Sequence, residues 1–164
     1  MSIRRIALLL VAPLGLAITA CAPRSATQPP AYSATAMRLL ELVNSQRASG
    51  AVCGTNSMAP VPRLQLEPRL VRAAQGHSAD QAAHGTMGHV GSDGSTVGTR
   101  VTAAGYTWQL VAENVAWNYG SPETVMVGWM DSPPHCMAIM HPGVSEFGAA
   151  EVDLYWTQVF ADPR

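Results

Sequence analysis

The chain has 164 residues, 48% of them apolar and 13% charged, with a formal net charge of −1. All ten basic residues are arginine, which excludes a P-loop, a Schiff-base lysine enzyme and a lysine-activated serine hydrolase. The near-neutral balance gives no electrostatic footprint for nucleic acid, and the length fits one domain of roughly 100–150 residues.

Residues 1–20 read as an export signal. Arg4 and Arg5 form a positive n-region, and Ile6 to Ile18 is an apolar run interrupted by Pro13 and Gly15. That run is shorter than the ~20 apolar residues of a permanent span. Ile18-Thr19-Ala20-Cys21 closes it and is similar to a bacterial lipobox, whose cysteine is lipidated after cleavage. For a plain signal, Ala20 suits the −1 position but Ile18 fits poorly at −3. The expectation is an exported lipoprotein held on a membrane through Cys21, in a periplasm or at a cell surface. Removal of residues 1–20 leaves eight arginines against eleven acids. It also settles the odd cysteine count. Lipidation uses Cys21 and leaves Cys53 and Cys136, which an oxidising compartment pairs as a disulfide; the alternative is two free buried thiols. Such a bridge closes a loop of about 80 residues and contributes ~4 kcal/mol in the chain-entropy model. Residues 21–32 read as a disordered, proline-containing linker, and residues 33–164 as the domain.

Within the domain, Ser33 to Ala48 carries an apolar stripe at helical spacing, stopped by Ser49-Gly50. Ala51 to Arg63 reads as a loop pinned by Cys53. Glu67 to His84 is a second helix, opened by Pro68, with an alanine-rich face suited to close packing on something flat. Gly85 to Ser95 is a glycine-rich loop, and Ser95 or Thr96 caps a short helix ending at Ala104. Leu110 to Trp117 reads as a strand. Ser121-Pro122 opens a helix through Trp129 or Met130, and Ser132-Pro133 leads into a shorter one from His135 to Met140. Phe147–Val152 and Leu154–Phe160 form a hairpin. Helices with a small, mostly antiparallel sheet make the fold class α+β.

Few residues here carry chemistry. Gly76-His77-Ser78-Ala79-Asp80 falls short of a nucleophile elbow, because the fifth position is not glycine and the segment is helical. His77 reads as a packed helix histidine bonded to a neighbour. His84 and His141 read as exposed. His89 sits on a loop able to aim it into a cleft. Glu113 interrupts an apolar strand, so it must face a cleft or be paired; Arg100 is the natural partner. His135 stands beside Cys136, and a bridge there fixes where it points. His89, Glu113 and His135 lack any local metal spacing such as H-E-x-x-H. Met87, Met126, Met130, Met137 and Met140 either line an apolar groove or fill the core, the latter being the commoner use of an i, i+4 pair.

The order of these pieces is specific. Leu42-Val43-Asn44-x-x-Arg47 precedes Ala73-Ala74-x-x-His77-Ser78-x-Asp80, then His89 with Ser92-Asp93-Gly94, Arg100 and Gly105-Tyr106. Ala112-Glu113-Asn114-Val115-Ala116, Trp129-Met130-x-Ser132-Pro133-x-His135-Cys136 and Tyr155-Trp156-Thr157-Gln158-Val159-Phe160 follow. From Met37 to Phe160 the chain resembles the CAP superfamily (cysteine-rich secretory proteins, antigen 5, pathogenesis-related 1), in its bacterial SCP-like branch. The resemblance implies a three-layer α-β-α sandwich with a central cleft. It also implies a cleft marked by two histidines and two acids that can take zinc or another divalent cation. His89 looks like the first histidine, and Glu113 like the glutamate of the family's Gly-Glu-Asn motif. The second histidine of the eukaryotic pattern falls on Tyr155, with His135 as its substitute. The second acid falls on Ser132, with Asp131 adjacent but out of register.

Three functions are compatible with this. One is a non-catalytic, membrane-tethered envelope module that binds a protein partner, lipid or other apolar ligand in a His/Glu-lined cleft. A second is a zinc-dependent hydrolase or peptidase acting on a peptide or envelope polymer, with zinc on His89 and His135 and with Glu113 as the candidate catalytic residue polarising a water. The third is a disulfide-stapled structural protein.

Overall fold

A computed structural model describes residues 32–164; the signal segment, Cys21 and the linker up to residue 31 lie outside the described residues. Ser33 caps α1 (Ala34–Ser49) by accepting from the Ala36 N–H. Next come a hairpin of β1 (Ala51–Cys53) and β2 (Asn56–Met58), short β3 (Gln65–Leu66), α2 (Pro68–His84) and α3 (Val97–Ala103). β4 (Trp108–Trp117), α4 (Pro122–Asp131), α5 (Pro133–Ile139), β5 (Glu146–Val152) and β6 (Tyr155–Pro163) complete the chain. The stretch expected as loop from Ala51 therefore contains a small antiparallel hairpin, with Cys53 opposite Asn56. Its two strands are three residues each, too short for an alternating pattern to show in the sequence.

The main sheet has strand order β3-β5-β6-β4, with β3 parallel to β5 and the other pairs antiparallel. One face carries α2 and α3 over Val159, Ala150 and Ala161. The other carries α1, α4 and α5 over Phe147, Phe160, Trp156 and Ala149. This is a three-layer α-β-α arrangement. The alanine face of α2 does pack on something flat, which is β5. A Cβ placed on Gly148 would stand 2.2 Å from the Leu70 carbonyl carbon and 2.4 Å from the Val71 nitrogen. Backbone meets backbone there, and only glycine permits it.

Two side chains of α1 stitch the opposite layer together. Asn44 donates to the Leu64 carbonyl at 3.1 Å and accepts from the Leu64 N–H at 2.7 Å. Arg47 is fully buried and has no carboxylate partner among the described residues. It donates instead to the carbonyls of Pro62 (2.7 Å), Ile139 (2.7 Å), His141 (3.0 Å) and Val144 (3.4 Å). Burial lowers its pKa, yet a guanidinium stays charged through such a shift. Cys53 and Cys136 form the expected disulfide, 83 residues apart in sequence, joining the β1–β2 hairpin to α5. Among the described residues no helix is long and apolar enough to cross a membrane.

Arg47→Met should lower stability by about 3 kcal/mol or more, because four carbonyls from two separate segments lose their donor. Urea unfolding read at constant m-value checks this; a midpoint within error of wild type would contradict it. Gly148→Ala should destabilise by about 1–3 kcal/mol through forced separation of α2 from β5.

Candidate functional site

β4 is an edge strand. Its register opposite β6 places Glu113 against Val159, on the face that α2 covers. The Glu113 side chain is only 2% exposed. Both of its oxygens are taken. Oε2 accepts from Arg100 Nη2 at 2.6 Å, and Oε1 accepts from His89 Nδ1 at 3.0 Å. The expected Arg100 partner is thus present, and so is the cleft histidine.

Each partner is itself positioned. Arg100 lies in α3, whose N-cap Thr96 makes a reciprocal capping box with Thr99. Its guanidinium also donates to the Ser95 carbonyl at 2.8 Å and the His89 carbonyl at 3.1 Å. The loop bearing His89 is clamped at Gly88. There the N–H donates to Gln81 Oε1 at 3.1 Å, and the carbonyl accepts from His77 Nε2 at 2.8 Å. Gln81 and Ser78 both donate to the Thr157 hydroxyl, at 3.2 and 2.9 Å, so a buried polar chain runs from β6 to the His89 loop. Asp80 holds the far side of that loop by accepting from the Ser92 N–H at 2.8 Å and from the Ser92 hydroxyl.

His77 is a packed helix histidine, as expected, but it also belongs to the site. Its Nε2 lies 3.9 Å from Glu113 Oε1. The 36 positions separating them in the chain hide this from any local motif. Burial depresses the His77 pKa, against an opposing pull from Glu113, and Nδ1 has no protein partner among the described residues. His135 is half-buried in α5. Its carbonyl accepts from Asn114 Nδ2 at 3.2 Å, and Asn114 also donates to Gln158 at 3.2 Å. Burial first, and then the neighbouring His89, lower the His135 pKa. His84 and His141 are exposed.

His89 and Glu113 are therefore bonded, while His135 is carried by α5 on the opposite face of the sheet. Among the described residues no three His, Cys, Asp or Glu side chains group as metal ligands. Glu113 commits both oxygens to protein donors, and its bond to His89 Nδ1 leaves Nε2 as the ring nitrogen with which that histidine would hold an ion. Met126 and Met140 are buried in the core and Met130 packs against it, the commoner of the two readings, while Met87 and Met137 are exposed. Met126 and Met130 line a groove of about 360 Å³ between α1 and α4, with Leu42 and Val127 and an acidic rim of Glu123 and Asp131.

A family model described as CAP, "Cysteine-rich secretory protein family", matches residues 40–160. The uncharacterised protein YkwD of Bacillus subtilis (strain 168) is 25% identical over 134 residues, covering 80% of this chain and 49% of that protein. An extracellular protein containing an SCP domain from Bacillus anthracis superposes with TM-score 0.70 at 22% identity, over 77% of this chain and 40% of that one. An outer surface protein from Borrelia burgdorferi gives TM-score 0.62 at 17% identity, over 77% of this chain and 93% of that one. The chain spans about half the length of the first relative and less of the first structure.

The lowered pKa values set a pH signature. Between the folded value of His77 and 6.5, the unfolded chain binds more protons than the folded one. Stability is then complete above pH 6.5 and falls as pH drops below it. Urea midpoints should decrease from about pH 7.5 to about pH 5.5. His77→Gln should flatten part of that slope, leaving the His135 share; an unchanged slope would remove His77 as its cause.

Proposed function

The chain belongs to the CAP, cysteine-rich secretory protein, family, and from that premise we propose an exported, envelope-tethered module that binds rather than hydrolyses. The observation that carries this is the fastening of Glu113. A general base needs a lone pair facing the substrate. Here one oxygen holds Arg100, the other holds His89, and the group is 2% exposed. The carboxylate is the anchor of a loop. The tether rests on Ile18-Thr19-Ala20-Cys21, and palmitate labelling of Cys21 in cells tests it.

The ligand is apolar, and it sits away from the histidines. The cleft beside His77 is walled by Asp80, Asp93, Ser92, Ser95 and Arg100, a lining that would desolvate at a cost against hydrocarbon. The α1–α4 groove offers an apolar floor of Leu42, Met126, Val127 and Met130, and its volume is within the usual range for small-ligand sites, ~300–1,000 Å³. Methionine there adapts to ligands of varied shape. A partner protein would meet the same groove through an apolar side chain.

An uncharged fluorescent fatty-acid methyl ester should bind the purified chain saturably. Met130→Arg should weaken binding at least tenfold, and His89→Ala should leave it within twofold. The reverse pattern would move the ligand to the His/Glu cleft. Stoichiometric zinc in the purified chain, with peptide hydrolysis lost in Glu113→Gln, would replace the binding reading by a hydrolase.

A further inference from the structure

The end of the sheet where β4 stops and β5 turns into β6 carries an unusual combination. Trp117, the last residue of β4, is 53% exposed, and Leu154, in the β5–β6 turn, is 40% exposed. Asp153 and Leu154 both have positive φ, +48° and +66°. That is the two-residue hairpin conformation which favours Asn-Gly, and a leucine is disfavoured in it. Neither solvation nor local backbone preference selects leucine here.

The tip is nevertheless held in shape. The Asn118 N–H donates to the Leu154 carbonyl at 3.0 Å, the Leu154 N–H to Glu151 Oε1 at 2.7 Å, and Trp156 Nε1 to the Tyr119 carbonyl at 2.9 Å. Tyr155 supports Trp117, ring centroids 6.0 Å apart at 31°. The tip thus presents an indole and a leucine side chain on a fixed frame.

Its position gives it a partner. α4 begins at Pro122, five residues after Trp117, and Glu123 in its first turn accepts from Arg38 Nε at 2.8 Å. Arg38 lies near the start of α1, so the N-terminal entry to the domain and the apolar tip share one end of the molecule. Eleven residues lead from Cys21 to Tyr32, a reach of at most about 36–40 Å. A bilayer holding Cys21 therefore lies within reach of the tip.

We propose that Trp117 and Leu154 form a second membrane contact, entering the interfacial zone of the bilayer that carries the tether. This rests on the tethered reading above. Tryptophan favours the headgroup level of a bilayer, where its ring is half apolar and its N–H stays wet. Glu151 and Asp153 flank the leucine, and the chain from Cys21 onward is net acidic, so the surface it suits is electrically neutral phospholipid. Two contacts on one end fix the domain's orientation, with the tip end against the bilayer.

Cys21 is the one thiol outside the disulfide, which permits a decisive test. The chain of residues 21–164 is coupled through that thiol to a maleimide lipid in phosphatidylcholine vesicles with brominated acyl chains. Tryptophan emission should be quenched relative to vesicles with unbrominated chains. Trp117→Phe should abolish most of that quenching. Leu154→Asn should at least halve it while raising the thermal midpoint, since asparagine tolerates positive φ. Wild-type quenching no greater than that of Trp117→Phe overturns the proposal, as does a Leu154→Asn chain quenched like wild type. Because the tether is chemical, absence of acylation in cells leaves this result untouched, and palmitate labelling of Cys21 reports on that reading separately.

Discussion

A carboxylate placed beneath the edge of a sheet must be neutralised locally, and much of this molecule is arranged around that demand at Glu113. Arg100 supplies the charge, and α3 is the platform that delivers it. The same guanidinium ties down the carbonyls of Ser95 and His89, so the loop between α2 and α3 closes over the carboxylate it helps to neutralise. Removing one member of such a buried pair leaves the other uncompensated, which is the more destabilising direction. Loop, short helix and edge strand therefore stand or fall together.

Beneath the pair, polar side chains continue through both layers. Ser78, Gln81 and Thr157 link α2 to β6 and then to Gly88. On the opposite face Asn114 bridges Gln158 and the His135 carbonyl. Glu113 and Asn114 are adjacent in β4, so alternation along the strand sends one side chain to each face. That is how a two-residue stretch connects the His89 loop to α5. The Cys53–Cys136 bridge secures α5 from its other side, and His135 is held between the two attachments.

Local features are legible in the sequence where the partner is near or the pattern long. The cap at Ser121 follows from residue type and the proline after it, and that at Thr96 is one of the two the sequence offers. Glu113 announces its need for a partner because a charge in an apolar strand has few low-energy states, and Arg100 is thirteen residues away. Arg47 shows the opposite case. It stands in a recognisable motif, but its carbonyl partners lie 15 to 97 residues away, in loops and at the end of α5, and carbonyls carry no side-chain signature. The β1–β2 hairpin is hidden by its three-residue strands, and His77 by its distance in sequence from Glu113. Met126 and Met130 are ambiguous for a physical reason. Met126 is buried and Met130 only partly so, and both do line a groove: an i, i+4 pair at the rim of a core serves both ends.

The departures from the family's four-residue cleft are structured, and they bear on what the site can do. Where the resemblance expects an acid, Ser132 ends α4 and begins α5, and its backbone N–H donates to the Trp129 carbonyl. A serine there serves a tight helix-to-helix junction and puts no charge into the cleft. Where the eukaryotic pattern has a histidine, Tyr155 is buried and its ring packs beneath Trp117. A histidine at 155 would be a smaller and more polar support for that indole. The tyrosine that stands where the eukaryotic pattern has a histidine is the residue that props up the apolar tip. With Tyr155 committed to Trp117, the place of the cleft's second histidine is left to His135 in α5.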